Sequence, residues 1–190
     1  MRNKKIMIDF DCTLVDFLTP YLKWCQNYLD IDIRKFDMSN YDWPHKFIGS
    51  GCSAFWKSDL YFDGIKPFTD AKEFIHQLWE NDINFAICSI VEEKYYMRKH
   101  KMIDDLFGFY GLEIILLPIT TQKRHSLECD DSYVFIDDRK SYIDPGLDIL
   151  YNHNNMHPWA DNHPGEHYRV MNNYDQVLDH ILGRVSRIRS

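Results

Sequence analysis

No two of the five cysteines, Cys12, Cys25, Cys52, Cys88 and Cys129, stand at C-x-x-C spacing, and their number is odd. That argues against a disulfide framework or a cysteine-built metal site, and reduced thiols in a cytosolic compartment are the expectation. Long apolar runs are missing too. Only Ile6-Met7-Ile8 separates the basic opening of the chain from Asp9, far short of a signal-peptide core or a membrane span. The expectation is an intracellular, cytoplasmic protein with no membrane partner. Positive charge is in short supply, with 22 Lys and Arg against 29 Asp and Glu and a formal net charge of −7. An extended nucleic-acid surface draws on clustered Lys and Arg, so it is not expected here. A small anionic ligand is compatible with the balance, because local charge can oppose net charge. No internal repeat and no low-complexity tract occurs.

What is present is ordinary in bulk and unusual in aromatics: 45% hydrophobic, 27% charged and 15% aromatic over 190 residues. That length suits one α/β core with a small inserted subdomain and is too short for two full domains. Strand-length apolar runs lie at 5–10, 83–90, 113–117, 133–136 and 148–151. Helix-length amphipathic stretches lie at 14–29, 69–80, 92–107 and 173–188, with Thr69 and Asn173 as N-caps and Phe74, Ile75, Leu78 and Trp79 on one face of the second. The alternation predicts a Rossmann-like parallel sheet flanked by helices. From Asp30 to Pro67 the periodicity dissolves into Tyr, Trp, Phe, Gly and Ser mixed with charge. That stretch reads as a small, mainly helical cap inserted after the first strand. The division is then 1–16 and 67–190 for the core and 17–66 for the cap. A second irregular stretch, 152–169, is rich in His, Asn and Pro and reads as a loop at the same sheet edge.

Polar residues follow four of the apolar runs. Asp9 and Asp11 stand at the end of the first, Ser89 comes after Phe85-Ala86-Ile87-Cys88 in the second, Lys123 lies beyond the third, and Asp137-Asp138 follow the fourth. Strand ends converge in a parallel sheet, and open α/β sheets hold their ligands there. Four carboxylates at one edge repel one another unless a cation compensates, which suggests a divalent metal. Oxygen-only ligands favour Mg²⁺. Each signal alone has a plainer meaning: Asp-x-Asp after a strand is often a turn and cap, Asp pairs are common turn formers, and a single Ser or Lys says little.

Asp9-Phe10-Asp11-Cys12-Thr13, Ser89, Lys123 and Asp137-Asp138, in this order, resemble the four motifs of the haloacid dehalogenase superfamily of phosphatases. The resemblance implies Asp9 as nucleophile forming an aspartyl-phosphate and Asp11 as acid and base. It also implies Mg²⁺ held by Asp9, the Asp11 carbonyl and one or both of Asp137 and Asp138. Ser89 and Lys123 would bind the phosphoryl oxygens.

A narrower resemblance joins 9–17, Phe55-Trp56 through Pro67 and Val134 to Asp138 to the 5′(3′)-deoxyribonucleotidases. It implies a nucleotide substrate with Phe17, Trp56 and Phe62 around the base, and Lys94, in Glu93-Lys94-Tyr95, as a second phosphate ligand. Cys12 stands where that family usually has glycine, which suits only a backbone without positive φ. Ser89 replaces a threonine and Ile90 a hydroxyl residue.

Several residues have two readings. The cap aromatics, including Trp43, Phe47 and Tyr61, could equally be a mini-core. His153, His157, His163 and His167 lack the spacing of a structural zinc site and read as a polar loop. Lys94, Arg98, Lys99, His100 and Lys101 read as a solvated basic face. The function expected is phosphomonoester hydrolysis on nucleoside monophosphates. Two alternatives stay open: a phosphatase of another small phosphoester or a nucleic-acid end, and a non-catalytic binding module. Oligomeric state, a homodimer included, is open as well.

Overall fold

The apolar run before Asp9 forms a strand, β1 (Lys5–Ile8), in which Ile6, Met7 and Ile8 are fully buried. Successive side chains on a strand face opposite ways. Ile6 and Ile8 therefore join the main core with Phe10, Val134 and Ile136, whereas Met7 joins a smaller cluster with Ala86, Cys88 and Phe135. Burial on both faces is what a central parallel strand needs. The computed structural model describes residues 4–32, 34, 37–39, 41–44, 49–108, 111–119, 123, 127 and 132–183. Phe47, Cys129 and the basic tail 184–189 lie outside them.

In chain order the remaining elements are β2 (Val15–Asp16), α1 (Leu18–Leu29), α2 (Asp59–Phe62), β3 (Lys66–Pro67), α3 (Ala71–Glu80), β4 (Phe85–Ile90), α4 (Tyr96–Phe107), β5 (Glu113–Leu117), β6 (Tyr133–Asp137), β7 (Ile149–Tyr151), β8 (Val170–Met171) and α5 (Tyr174–Leu182). Six strands make a sheet in the order β5-β4-β1-β6-β7-β8, with every pairing parallel. The carboxyl ends of β1, β4 and β6 therefore lie side by side. β8, paired with β7, is a two-residue strand too short for sequence periodicity to reveal.

The segment 17–66 leaves and returns through the antiparallel ribbon of β2 and β3, in which Val15 pairs with Pro67 and Asp16 with Lys66. It contains α1, a 3₁₀ turn at Gly49–Lys57 and α2. Helix α1 starts at Leu18 rather than Leu14, because Leu14 to Asp16 are spent on a turn and β2, and the Asp16 carboxylate accepts the Thr19 amide at 3.0 Å.

Other details differ from the sequence reading as well, strand β4 starting at Phe85 and helix α4 at Tyr96 among them. Thr69 does not cap α3: the flanking residue is Asp70, without a side-chain cap bond. Trp79 is 53% exposed, off the buried face made by Ala71, Phe74, Ile75 and Leu78. Helix α5 begins where expected, Asn173 accepting the Gln176 amide at 2.9 Å, but ends at Leu182, because Gly183 turns the chain left-handed at φ 67°. The cysteines Cys12, Cys25, Cys52 and Cys88 are buried. Among the described residues no helix is long and apolar enough to cross a membrane.

Candidate active site

The turn after β1 is built by main-chain bonds. The Asp9 amide donates to Ile136 at 2.9 Å, tying it to β6, and the amides of Leu14 and Val15 both reach the Phe10 carbonyl. Phe10 is buried beneath the turn, while Asp9, Asp11 and the buried Cys12 line a cleft of about 440 Å³ together with Ser89, Lys123 and Asp138. Cys12 takes the left-handed conformation at φ 63°, so the backbone does need the positive φ that glycine would supply at no steric cost. Three partners hold it there. His157 Nε2 lies 2.9 Å from the Cys12 carbonyl, the Cys12 amide reaches Val15, and the Tyr174 hydroxyl donates to the Thr13 carbonyl at 2.6 Å. Cys12→Val is expected to destabilise the protein by about 2 kcal/mol or more, since a β-branched residue is poorly accommodated at positive φ. Cys12→Gly should stay near wild type, relief of strain offsetting the lost thiol; urea unfolding of both variants checks the pair.

The loop 152–169 supports the site from behind rather than reaching into it with its histidines. His153 and His157 are buried, and His163 and His167 are exposed. His153 bonds Tyr151 and Asn154. Burial pushes the His157 imidazole down to about 4 from 6.5, so it is neutral and donates to Cys12 through Nε2. Below pH 6.5 the unfolded chain takes a proton that the folded chain refuses until pH about 4, so stability falls with acidification across that window. His157→Gln should reduce this slope, as measured by urea midpoints between the two values.

Lys123, almost completely buried, bridges the nucleophile candidate and β6. Its ammonium contacts Asp9 and lies 2.5 Å from Asp137. Burial opposes that charge, but Asp137 and Asp9 outweigh it and hold the lysine above its ordinary range. Asp137 also accepts the Arg139 amide at 2.9 Å, and Asp138 accepts Trp159 Nε1 at 2.8 Å. One oxygen each from Asp9, Asp137 and Asp138 falls within 4.8 Å of the others. Burial, then the neighbouring carboxylates, pushes Asp138 well above the carboxylate range. Burial raises Asp9 to about 7, against the pull of Lys123. One lysine does not neutralise three buried carboxylates, and hard oxygen donors short of positive charge fit a small divalent cation. The Asp11 carboxylate is not in this trio. The Ser89 hydroxyl, buried at the end of β4, has no hydrogen-bond partner among the described residues of the cleft it lines.

The other expected ligands are placed differently. Phe17 and Trp56 stack directly on each other, with centroids 5.1 Å apart and planes at 24°, so no slot for a base lies between them. Trp56 is half-buried in the cleft wall, and Phe17 also stacks on Tyr21. Trp43 is buried and packs beside Tyr21, so part of the aromatic set is a mini-core. Phe62 is not in the cleft wall; its ring is covered by Tyr95 and by the Arg98 guanidinium at 4.3 Å. Lys94 is largely exposed and paired with Glu92 at 2.8 Å, outside the cleft.

Two cleft cations or their neighbours escaped the sequence reading. Lys99, read as part of a solvated face, is fully buried and lies 2.7 Å from Asp11. The signal was present: Lys99, Met102, Ile103 and Phe107 form one helical stripe, with the lysine where an apolar residue belongs. Arg139, directly after the Asp pair, lies between the rings of Tyr41 and Tyr142 at 3.8 and 4.3 Å. Nothing in the sequence pattern marks it.

No protein-family model and no curated protein matches this chain. Solved structures do. A HAD family hydrolase from Deinococcus radiodurans R1, with bound phosphate and sodium, is 14% identical over 96% of this chain and 96% of its own, with a TM-score of 0.61. A predicted phosphatase from Clostridium acetobutylicum is 14% identical over 96% of this chain and all of its own, at 0.60. A HAD-superfamily hydrolase of subfamily IA from Geobacter sulfurreducens PCA is 12% identical over 93% of this chain and 98% of its own, at 0.55. The chain has the haloacid dehalogenase-like α/β fold.

Proposed function

We propose that this protein is a Mg²⁺-dependent phosphomonoesterase that acts on nucleoside monophosphates, deoxyribonucleotides first, through an aspartyl-phosphate on Asp9. The observation that carries the reading is the convergence, in one cleft, of buried Asp9, a buried lysine bridging it to Asp137, the three-carboxylate cluster and the unpartnered Ser89 hydroxyl. An Asp9 oxygen forms a bond to phosphorus as the ester P–O bond breaks, and the leaving oxygen takes a proton from Asp11. Water then attacks the same phosphorus and gives its proton to Asp11, the P–O bond to Asp9 breaks, and inorganic phosphate leaves. Proton transfer of this kind is worth roughly 10²- to 10⁴-fold in rate. Ser89 donates to a phosphoryl oxygen, and Lys123 neutralises charge on the transferring group, where a loose transition state concentrates it. Asp9, Asp137 and Asp138 would hold Mg²⁺, which when bound supplies charge neutralisation at the phosphoryl oxygens.

The nucleotide part rests on the aromatic wall. Trp56, backed by Phe17, offers a stacking face, and base stacking on an aromatic is worth about 1 to 3 kcal/mol with little dependence on base identity. The direct Phe17–Trp56 stack supports a second reading, a phosphatase of another small phosphoester that needs no base slot. Phosphate release from dUMP, dTMP, ribonucleotides, sugar phosphates and 3′-phosphorylated oligonucleotides separates the two. Turnover concentrated on the mononucleotides supports the first, and preference for a sugar phosphate or an oligonucleotide end overturns it.

A further inference from the structure

The Asp11 carboxylate is held by residues from two parts of the molecule. The Tyr61 hydroxyl, on α2 of the inserted segment, donates to it from 2.8 and 2.9 Å of its two oxygens. The Lys99 ammonium, on α4 of the core, donates to it at 2.7 Å and also contacts the Tyr61 hydroxyl. Lys99 is fully buried, with its charge 4.2 Å from the Phe10 ring centroid and 4.7 Å from that of Tyr61. Desolvating an ammonium is costly, and an apolar residue of similar volume would fill the same stripe of α4 without that cost. A lysine retained there as mere packing is therefore a poor solution, whereas a lysine that fixes one carboxylate is a good one. α4 reaches the insertion a second time through Arg98, which pairs with Asp59 and Asp63 at 2.7 and 3.0 Å.

We infer that Lys99 and Tyr61 are positioning residues that clamp the Asp11 carboxylate, so that placement of the proton carrier and seating of the inserted segment on the core are one event. The inference rests on the phosphoryl-transfer reading for its consequence and on the geometry alone for the clamp. It has a signature that loss of structure lacks. A poor leaving group needs a placed proton, and p-nitrophenolate does not. Lys99→Met and Tyr61→Phe are compared with wild type in single turnovers, following leaving-group release from dTMP and from p-nitrophenyl phosphate. Release from dTMP should fall by ~10²-fold in Lys99→Met, the scale of a lost proton transfer, and by a smaller factor in Tyr61→Phe. Release from p-nitrophenyl phosphate should change by less than ~3-fold, because that step draws little on the proton. An equal fall on both esters, or none on dTMP, overturns the inference.

If wild type cleaves neither ester, the reaction reading has failed, and urea midpoints decide the clamp independently. Asp11→Asn should lower the midpoint by stranding the Lys99 charge, and Asp11→Asn with Lys99→Met should recover most of that loss. Strictly additive shifts overturn the clamp.

Discussion

Asp9→Asn is expected to lower turnover by ~10⁴-fold or more while raising the thermal midpoint of the metal-free protein, and both effects come from one burial. Removal of a nucleophile that acts within a set of groups costs several orders of magnitude. The stability gain follows from linkage. Burial raises the folded Asp9 from 3.8 to about 7, so the folded state prefers the neutral form. The stabilisation that this proton brings is complete below pH about 4, and it is lost as pH rises towards 7. At pH 8 wild type carries a buried charge that asparagine does not. A gain of about 1 kcal/mol would move the midpoint by ~2 to 4 °C in a chain of this size. Calorimetry across pH 4 to 8, in chelator, should show wild-type stability declining and Asp9→Asn declining less. Equal slopes would mean that Asp9 is not strained by its site.

Lys123→Met should produce the largest loss of stability of any single change in the cleft. Lys123 is the bridge between Asp9 and Asp137, and Asp138 lines the same cleft. Removing one partner of a buried ion pair leaves uncompensated charge and costs about 3 to 5 kcal/mol. Turnover should fall by ~10²- to 10³-fold, the scale of losing one preorganised electrostatic group. A cation that binds only the folded state stabilises it by mass action, and it should do so more where the resident charge is missing. Added Mg²⁺ should therefore raise the urea midpoint of Lys123→Met more than that of wild type. A variant as stable as wild type in chelator would show that the lysine does not balance the carboxylates.

The residues that converge at the strand ends were legible because a parallel sheet brings strand ends together whatever the loops do. Asp9, Ser89, Asp137 and Asp138 needed only the strand pattern, and Lys123 needed the resemblance as well. The supports of the site were not legible in this way. Lys99 meets Asp11 across 88 positions, and Trp159 meets Asp138 across 21, through packing of a helix and a loop that periodicity does not place. Phe17 and Trp56, which the resemblance puts with Phe62 around a base, are neighbours in one stack, because a small insertion must bury its own rings. At Cys12 a residue type that disfavours positive φ conceals a conformation that His157 and Tyr174 help hold by long-range bonds.

The most direct measurement is phosphate release from a deoxynucleoside monophosphate by wild type and Asp9→Asn, with Mg²⁺ and with chelator. Release is expected from wild type with Mg²⁺, with a fall to background in the other three samples. Nucleotide binding without release in Mg²⁺, or wild-type turnover by Asp9→Asn, would contradict that expectation.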